Sequence, residues 1–120
     1  MTTATNPKDA VGRLKPPLEL IPGPALVSLA EAFRDGRSKY GAYNWRTRTV
    51  GASVYVGAAL RHLHAWYDGE DIDPTSKVEH LAHAMACLGI LLDAKAVGKL
   101  VDDRPAPAPT GALLRRSRPQ

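Results

Sequence analysis

A chain of 120 residues with a net charge of +4 makes one domain, large enough for a core of its own. One cysteine, Cys87, excludes a disulfide framework within the chain and fits a reducing cytoplasm. No apolar run has the length of a membrane span, and the first ten residues, MTTATNPKDA, lack the basic start and apolar stretch of a signal peptide.

Charge is unevenly placed. Lys8, Arg13, Lys15, Arg34, Arg37, Lys39, Arg46, Arg48 and Arg61 fill the first half, Arg115, Arg116 and Arg118 the tail, and Asp68, Glu70, Asp71 and Asp73 one turn. A basic half facing an acidic loop is a poor match for a uniform nucleic-acid-binding face, and suits a site that holds both a polyphosphate and metal ions.

Residues 1–17 are polar and proline-marked and read as an extended arm, whose Lys8 and Lys15 could fold over an anion. After Pro22-Gly23-Pro24, a helix is expected to about Tyr40, closed by Gly41, with Leu26, Leu29, Ala30 and Phe33 on its apolar face. Glu31 sits beside that face, and Asp35 shares a face with Glu31.

The loop Lys39 to Thr49, KYGAYNWRTRT, mixes Tyr40, Tyr43, Asn44 and Trp45 with Lys39, Arg46 and Arg48. Aromatic faces stack on bases, Asn reads a base edge and cations hold phosphates. The same aromatics could equally close the core over helix ends, and the two readings are compatible.

A second helix is expected from Ser53 to about Asp68. His62 lies on its Tyr55–Ala59–Trp66 face, while His64 points elsewhere. The acidic turn DGEDIDP lacks the spacing of a calcium loop. Asp71 fits a helix-dipole role there, whereas Glu70 and Asp73 are open to a site role as well. Pro74-Thr75-Ser76 opens the third helix, with Ser76 or Thr75 as N-cap and Glu79 at capping-box spacing. EHLAHAMACLGILL, Glu79 to Leu92, is apolar over more than half its circumference and should be buried on most sides. His80 and His83, at i and i+3, leave one face of it. From Asp102 the composition turns to Pro and Arg.

The expected fold is therefore all-α: an antiparallel bundle of three main helices with short additional helices, an extended arm at 1–17, a helical domain at 18–102 and a disordered tail at 103–120. A unit of this size often completes its core by oligomerising, as a dimer or tetramer. If Glu31, His62, His80 and His83 share a cleft, they form a carboxylate–imidazole set able to hold divalent metal.

Four stretches, NPKDAVGRLKPPLELIP, GRSKYGAYNWR, ALRHLHAWYDGEDIDP and HLAHAMACLGILLDA, resemble in content and order the small phage-type dATP/dGTP diphosphohydrolase domain, related to the MazG-like nucleotide pyrophosphohydrolases. KYGxYNWR, RHLxAWxDGED and HLAHA are specific in combination. The resemblance implies a cytoplasmic enzyme that cleaves purine deoxynucleoside triphosphates to monophosphate and pyrophosphate. In a phage that replaces adenine by 2-aminoadenine, it would supply dGMP. The MazG-like EExxE helix and later ExxD pair are not intact here; Glu31 with Asp35, and Glu79 to His83, come nearest. On this reading Glu31, His80 and His83 hold Mg, Mn or Co with Glu70 or Asp73. His62 is a ligand or general base, Lys39, Arg46 and Arg61 steady the phosphates, and Tyr43, Asn44 and Trp45 take the base. The competing classes are a noncatalytic basic module on single-stranded nucleic acid, which would use Trp45, Tyr43 and the arginine tail, and a helical assembly subunit.

Overall fold

The computed structural model describes residues 6–119. Three long helices carry the fold: α2 (Gly23–Tyr40), α3 (Ala52–Tyr67) and α4 (His80–Ala96), flanked by short helices α1 (Pro7–Gly12) and α5 (Thr110–Arg115). The all-α expectation holds. The only strands among the described residues are β1 (Val50–Gly51) and β2 (Leu100–Val101), paired in parallel with Val50 opposite Leu100. No helix among the described residues is long and apolar enough to cross a membrane.

Helix α4 is the centre, and alanine is the reason. Ala82, Ala84, Ala86 and Ala94 are buried, Ala82 and Ala94 completely. A methyl side chain lets a neighbouring backbone approach closely while losing no side-chain entropy. Ala32 of α2 meets Ala82 and Ala86, with Leu29, Phe33 and Val78 around them. At the other end, Trp45, Val50 and Ala94 pack with Tyr55, Ile90 and Leu100. Phe33 belongs to both clusters and joins them. Tyr55 from the start of α3 meets the end of α4, while His62 further along α3 meets His80 at the start of α4, so α3 and α4 are antiparallel.

The strand pair ties the chain entering α3 to the chain leaving α4. Beside it, the Asp103 carboxylate accepts hydrogen bonds from the Ser53 backbone N–H (2.8 Å) and hydroxyl. Gly51, at the N-cap position, has no side chain to do this, so an acid from the far end of the fold caps the helix.

Three local expectations are corrected. The arm is not extended throughout: Asn6 accepts from the Lys8 amide and Pro7 starts a helical turn, a Pro-at-N1 arrangement that outweighs the nearby glycine. Residues 110–115 of the tail are helical, since Ala112, Leu113, Leu114 and Arg115 are good helix formers. The third helix starts at His80, not at Pro74. Asp73 folds residues 73–75 into a turn by accepting from the Thr75 N–H, Lys77 takes a positive φ of 64°, and Glu79 becomes the N-cap residue without a side-chain cap. A backbone bridge between Ile72 and Glu79 closes this loop.

Enlarging the helix contact should be costly. Ala82→Leu is expected to destabilise the fold by about 1–3 kcal/mol through overpacking, read as a lower urea midpoint with an unchanged slope.

Candidate functional site

Between α2 and α3, above α4, lies an open cleft of about 1060 Å³. Its walls come from four sources: α2 supplies Phe33, Asp35 and Lys39; the loop after it supplies Tyr43, Asn44, Trp45 and Arg46; α3 supplies Tyr55, Ala58 and His62; and α4 supplies His83, Cys87, Ile90 and Asp93. Asp73, from the acidic turn, closes one end. The α4 residues fall on one stripe because 83, 87, 90 and 93 repeat at helical spacing.

At the Asp73 end three imidazoles converge. Nδ1 of His62 lies 2.8 Å from Nδ1 of His80, and the His62 and His83 rings stack with centroids 4.7 Å apart. Nε2 of His80 lies 2.6 Å from Oε1 of Glu70. A carboxylate oxygen accepts here, so the His80 ring donates to Glu70 through Nε2–H. Glu70 therefore fixes the tautomer of a buried ring, as carboxylates do behind metal-ligating histidines. Nε2 of His83 is held at 2.7 Å by the Ser76 hydroxyl, which also accepts from the Val78 N–H.

Electrostatics follow from this crowding. Burial is the main cause that holds the His62 ring below the ordinary imidazole pKa of 6.5, and its nearness to His83 and His80 adds to it. Burial likewise lowers His83, against the pull of Asp35 and Asp73. The Thr75 amide holds Asp73 below the usual carboxylate range, with help from the Ser76 amide and the histidines. The cleft thus keeps uncharged imidazoles beside an ionised carboxylate at neutral pH. One ring nitrogen each from His62 and His80 and one Asp73 oxygen lie within 4.8 Å of one another, the one such group of three among the described residues. Donors at about 2.0–2.2 Å from one ion lie no more than about 4.4 Å apart, so this set comes onto a single ion only by drawing together from its present spacing. The donor chemistry, two imidazoles and a carboxylate with a carboxylate behind one ring, fits a divalent transition metal or Mg.

At the other end, Asp93 organises the aromatic loop. It accepts from Trp45 Nε1 at 2.6 Å and from Arg46 through both Nε (2.8 Å) and Nη2 (2.9 Å). These bonds push the Asp93 carboxyl down to about 2, Arg46 contributing most. The Arg46 guanidinium lies 4.5 Å over the ring of Tyr43, a residue in the left-handed region at φ 54°. Trp45 is buried, its ring 5.6 Å from Phe33 and 5.4 Å from Tyr43. Of the two readings of this loop, closure of the core holds for Trp45, while Tyr43 stands exposed at the cleft edge.

The structure brings together His62, His80, His83, Glu70 and Asp73 at one end, and Lys39, Tyr43, Asn44, Trp45 and Arg46 along the cleft. Glu31 it places elsewhere, in a separate small recess with Ser28, Lys77, Val78, Glu79 and Ala82, bridged to Arg34 at 3.2 Å. Asp35, one turn on, lines the cleft in its place and pairs with Lys39 at 2.9 Å. Arg61 is exposed and is not among the cleft's lining residues. The sequence does not point to a site role for Asp93 or Ser76. Asp93 was within reach, being ten residues beyond His83 on the same stripe; Ser76 was read as a helix cap, and nothing local linked it to a histidine.

A family model described as dATP/dGTP diphosphohydrolase, N-terminal, matches residues 5–104. Comparison with curated proteins and with solved structures gives no match.

Half-buried imidazoles held below their ordinary pKa impose a pH dependence on folding. In the unfolded chain His62 and His83 regain a pKa near 6.5 and take up protons before the folded chain does. Stability from these groups is then full above about 6.5 and is lost as pH falls below it toward the folded values. The urea midpoint should drop between about pH 7.5 and 5.5, and the drop should shrink in a His62→Asn/His83→Asn double variant.

Proposed function

The chain belongs to the dATP/dGTP diphosphohydrolase family, and we propose that its cleft hydrolyses purine deoxynucleoside triphosphates between the α and β phosphates with a divalent metal. The observation that carries this reading is a cleft lined at one end by His62 and Asp73, which meet the buried His80 behind them, and at the other by Tyr43, Asn44 and Arg46. Two of the three metal donors and a surface for a base thus line one cavity large enough for a nucleotide.

In the proposed reaction one water and one triphosphate give deoxynucleoside monophosphate and pyrophosphate. The water oxygen bonds to the α-phosphorus, and the bond from that phosphorus to the bridging α–β oxygen breaks. His62, His80 and Asp73 would hold the metal, with Glu70 fixing His80 from behind. A divalent ion bound there supplies positive charge for the phosphates and lowers the pKa of a bound water.

The chain's own groups do the rest. His83, held on Ser76 through Nε2, offers Nδ1 to receive the water's proton, and burial keeps that ring uncharged and able to accept it. Tyr43 offers an exposed ring for stacking and Asn44 an amide for the base edge. Lys39 and Arg46 line the cleft together with Arg34 and Arg37, and Lys39 and Arg46 are paired with Asp35 and Asp93. Phosphate oxygens would take over these partners, which favours a polyphosphate over a monophosphate ligand. Glu31 and Arg61 have no part in this scheme. Purine selectivity is assigned to the Tyr43–Asn44 edge, and dGTP and dATP are both taken as substrates. In a phage that uses 2-aminoadenine, the dGMP so formed would feed its synthesis in the host cytoplasm.

Purified protein incubated with dGTP or dATP and Mg, Mn or Co should release monophosphate and pyrophosphate, and EDTA should stop it. His80→Ala and Asp73→Asn should lower kcat about 100-fold or more, the scale for losing a charge-stabilising group, with helical circular dichroism retained. Release of diphosphate and free phosphate would overturn the assignment of the broken bond, and turnover in EDTA the metal role.

A further inference from the structure

Asp93 lines the cleft at the end where Tyr43 and Asn44 lie, and the proposed reaction gives it no task of its own. It follows His83 by ten residues on α4, about 15 Å along the helix axis. With the scissile phosphate at the histidines, the covalent order phosphate, sugar, base carries the base of a nucleotide toward Asp93.

The Asp93 carboxylate accepts three hydrogen bonds from two residues of different standing. Oδ2 accepts from the indole Nε1 of Trp45 at 2.6 Å, and the edge formed by both oxygens accepts the paired Nε and Nη2 of Arg46 at 2.8 and 2.9 Å. Trp45 is buried against Phe33, so the indole braces the carboxylate from the core side. Arg46 lines the cleft, and its side chain is 47% accessible. In the proposed reaction Arg46 passes to phosphate oxygens. What it leaves behind is a carboxylate still held by the indole, with a two-acceptor edge open to the cleft.

Such an edge takes two parallel N–H donors, the fork that a guanidinium supplies. Guanine carries the same fork: N1–H and one N2–H are joined through C2, the N–C–N unit that Nε, Cζ and Nη2 form in arginine. Adenine does not. Its N6 amino group adjoins a bare N1, whose lone pair would face a carboxylate oxygen. Arg46 in the free protein therefore occupies the carboxylate as one of the two purines could and the other could not.

We infer that Asp93 reads the base, accepting from N1–H and N2–H of guanine in the place Arg46 leaves, so that dGTP is preferred to dATP. The inference rests on the proposed reaction for the position of the base. Tyr43 and Asn44 serve either purine, and dATP remains a substrate, with one bond to the carboxylate where guanine makes two.

Initial rates with dGTP, dITP and dATP test this on the unaltered protein, since hypoxanthine keeps N1–H and lacks only the 2-amino group. The kcat/KM for dGTP should exceed that for dATP about 10-fold or more, the scale of one bidentate pair, and dITP should fall below dGTP. Asp93→Asn replaces one acceptor by a donor, the pattern that pairs with adenine N6 and N1, and should reverse the preference to dATP. Calorimetric titration of dGMP, dIMP and dAMP in EDTA should give the wild-type order with nothing hydrolysed. Equal kcat/KM for dGTP and dITP would overturn the inference. So would a folded Asp93→Asn protein that loses both substrates in equal proportion, since Asp93 would then be only a brace for Trp45 and Arg46. If that variant does not fold, the comparison of dGTP with dITP decides. If no deoxynucleoside triphosphate is cleaved, the proposed reaction falls, and the order of the monophosphate affinities still decides whether Asp93 reads guanine.

Discussion

Close approach of α4 to both of its neighbours is the constraint on which the rest of this structure depends, and it is met by alanine. Ala82, Ala84, Ala86 and Ala94 leave only methyl groups at the contacts, so α2 and α3 can each touch α4. Ala86 also lines the cleft, and with Gly89 beside it keeps the α4 side of the cavity free of bulky groups. Small residues therefore shape the site as much as the polar residues lining it. They also account for the modest core: alanine contacts bury little area each, and the larger apolar side chains of α3 and α4 are left facing outward.

The cleft's polar groups are arranged in pairs that hold each other. Lys39 has Asp35, Arg46 has Asp93, His80 has Glu70, and His83 has Ser76. Preset pairs of this kind keep side chains ordered before any ligand arrives, which lowers the entropy lost on binding. They also bring Asp35 and Asp93 into a cavity lined by cations, where Asp73 joins them. In the proposed function this is consistent chemistry, since phosphate oxygens and a divalent ion together present both signs of charge to such a lining. Exposed ion pairs contribute little to stability, so exchanging their partners costs little.

Much of this was legible in the sequence because it is periodic. The three long helices, the placement of His62 on a core-facing stripe with His64 off it, and the common face of His80 and His83 all follow from 3.6-residue spacing. The loop KYGAYNWRTRT could be recognised by composition, although its division of labour could not. Trp45 inside and Tyr43 at the edge depend on Asp93, 48 residues away from Trp45. What periodicity misses is which side of a shared face meets which neighbour. Glu31 and Asp35 are one turn apart on α2, and only the direction in which α2 crosses α4 sends Glu31 to the Glu79 recess and Asp35 into the cleft. Turn chemistry accounts for the remaining error: Ser76 had the spacing of a cap, but Asp73 and Lys77 bend the chain so that its hydroxyl reaches His83 instead.

The reading of this chain as a noncatalytic nucleic-acid module rested on Trp45, Tyr43 and the basic tail, and it fares worse against the geometry than against the composition. A single-strand platform needs several exposed rings and unpaired cations along one groove. Here Trp45 is buried with its indole N–H on Asp93, and Arg46 is clamped by the same carboxylate. Asp35, Asp73 and Asp93 all line the cavity, where a bare polyanion would meet them directly. A ligand that arrives with its own divalent cation meets the same carboxylates as partners. In the proposed function the carboxylates that count against a nucleic-acid groove become partners of a metal-bound triphosphate, and that asymmetry is the physical ground for preferring the enzyme.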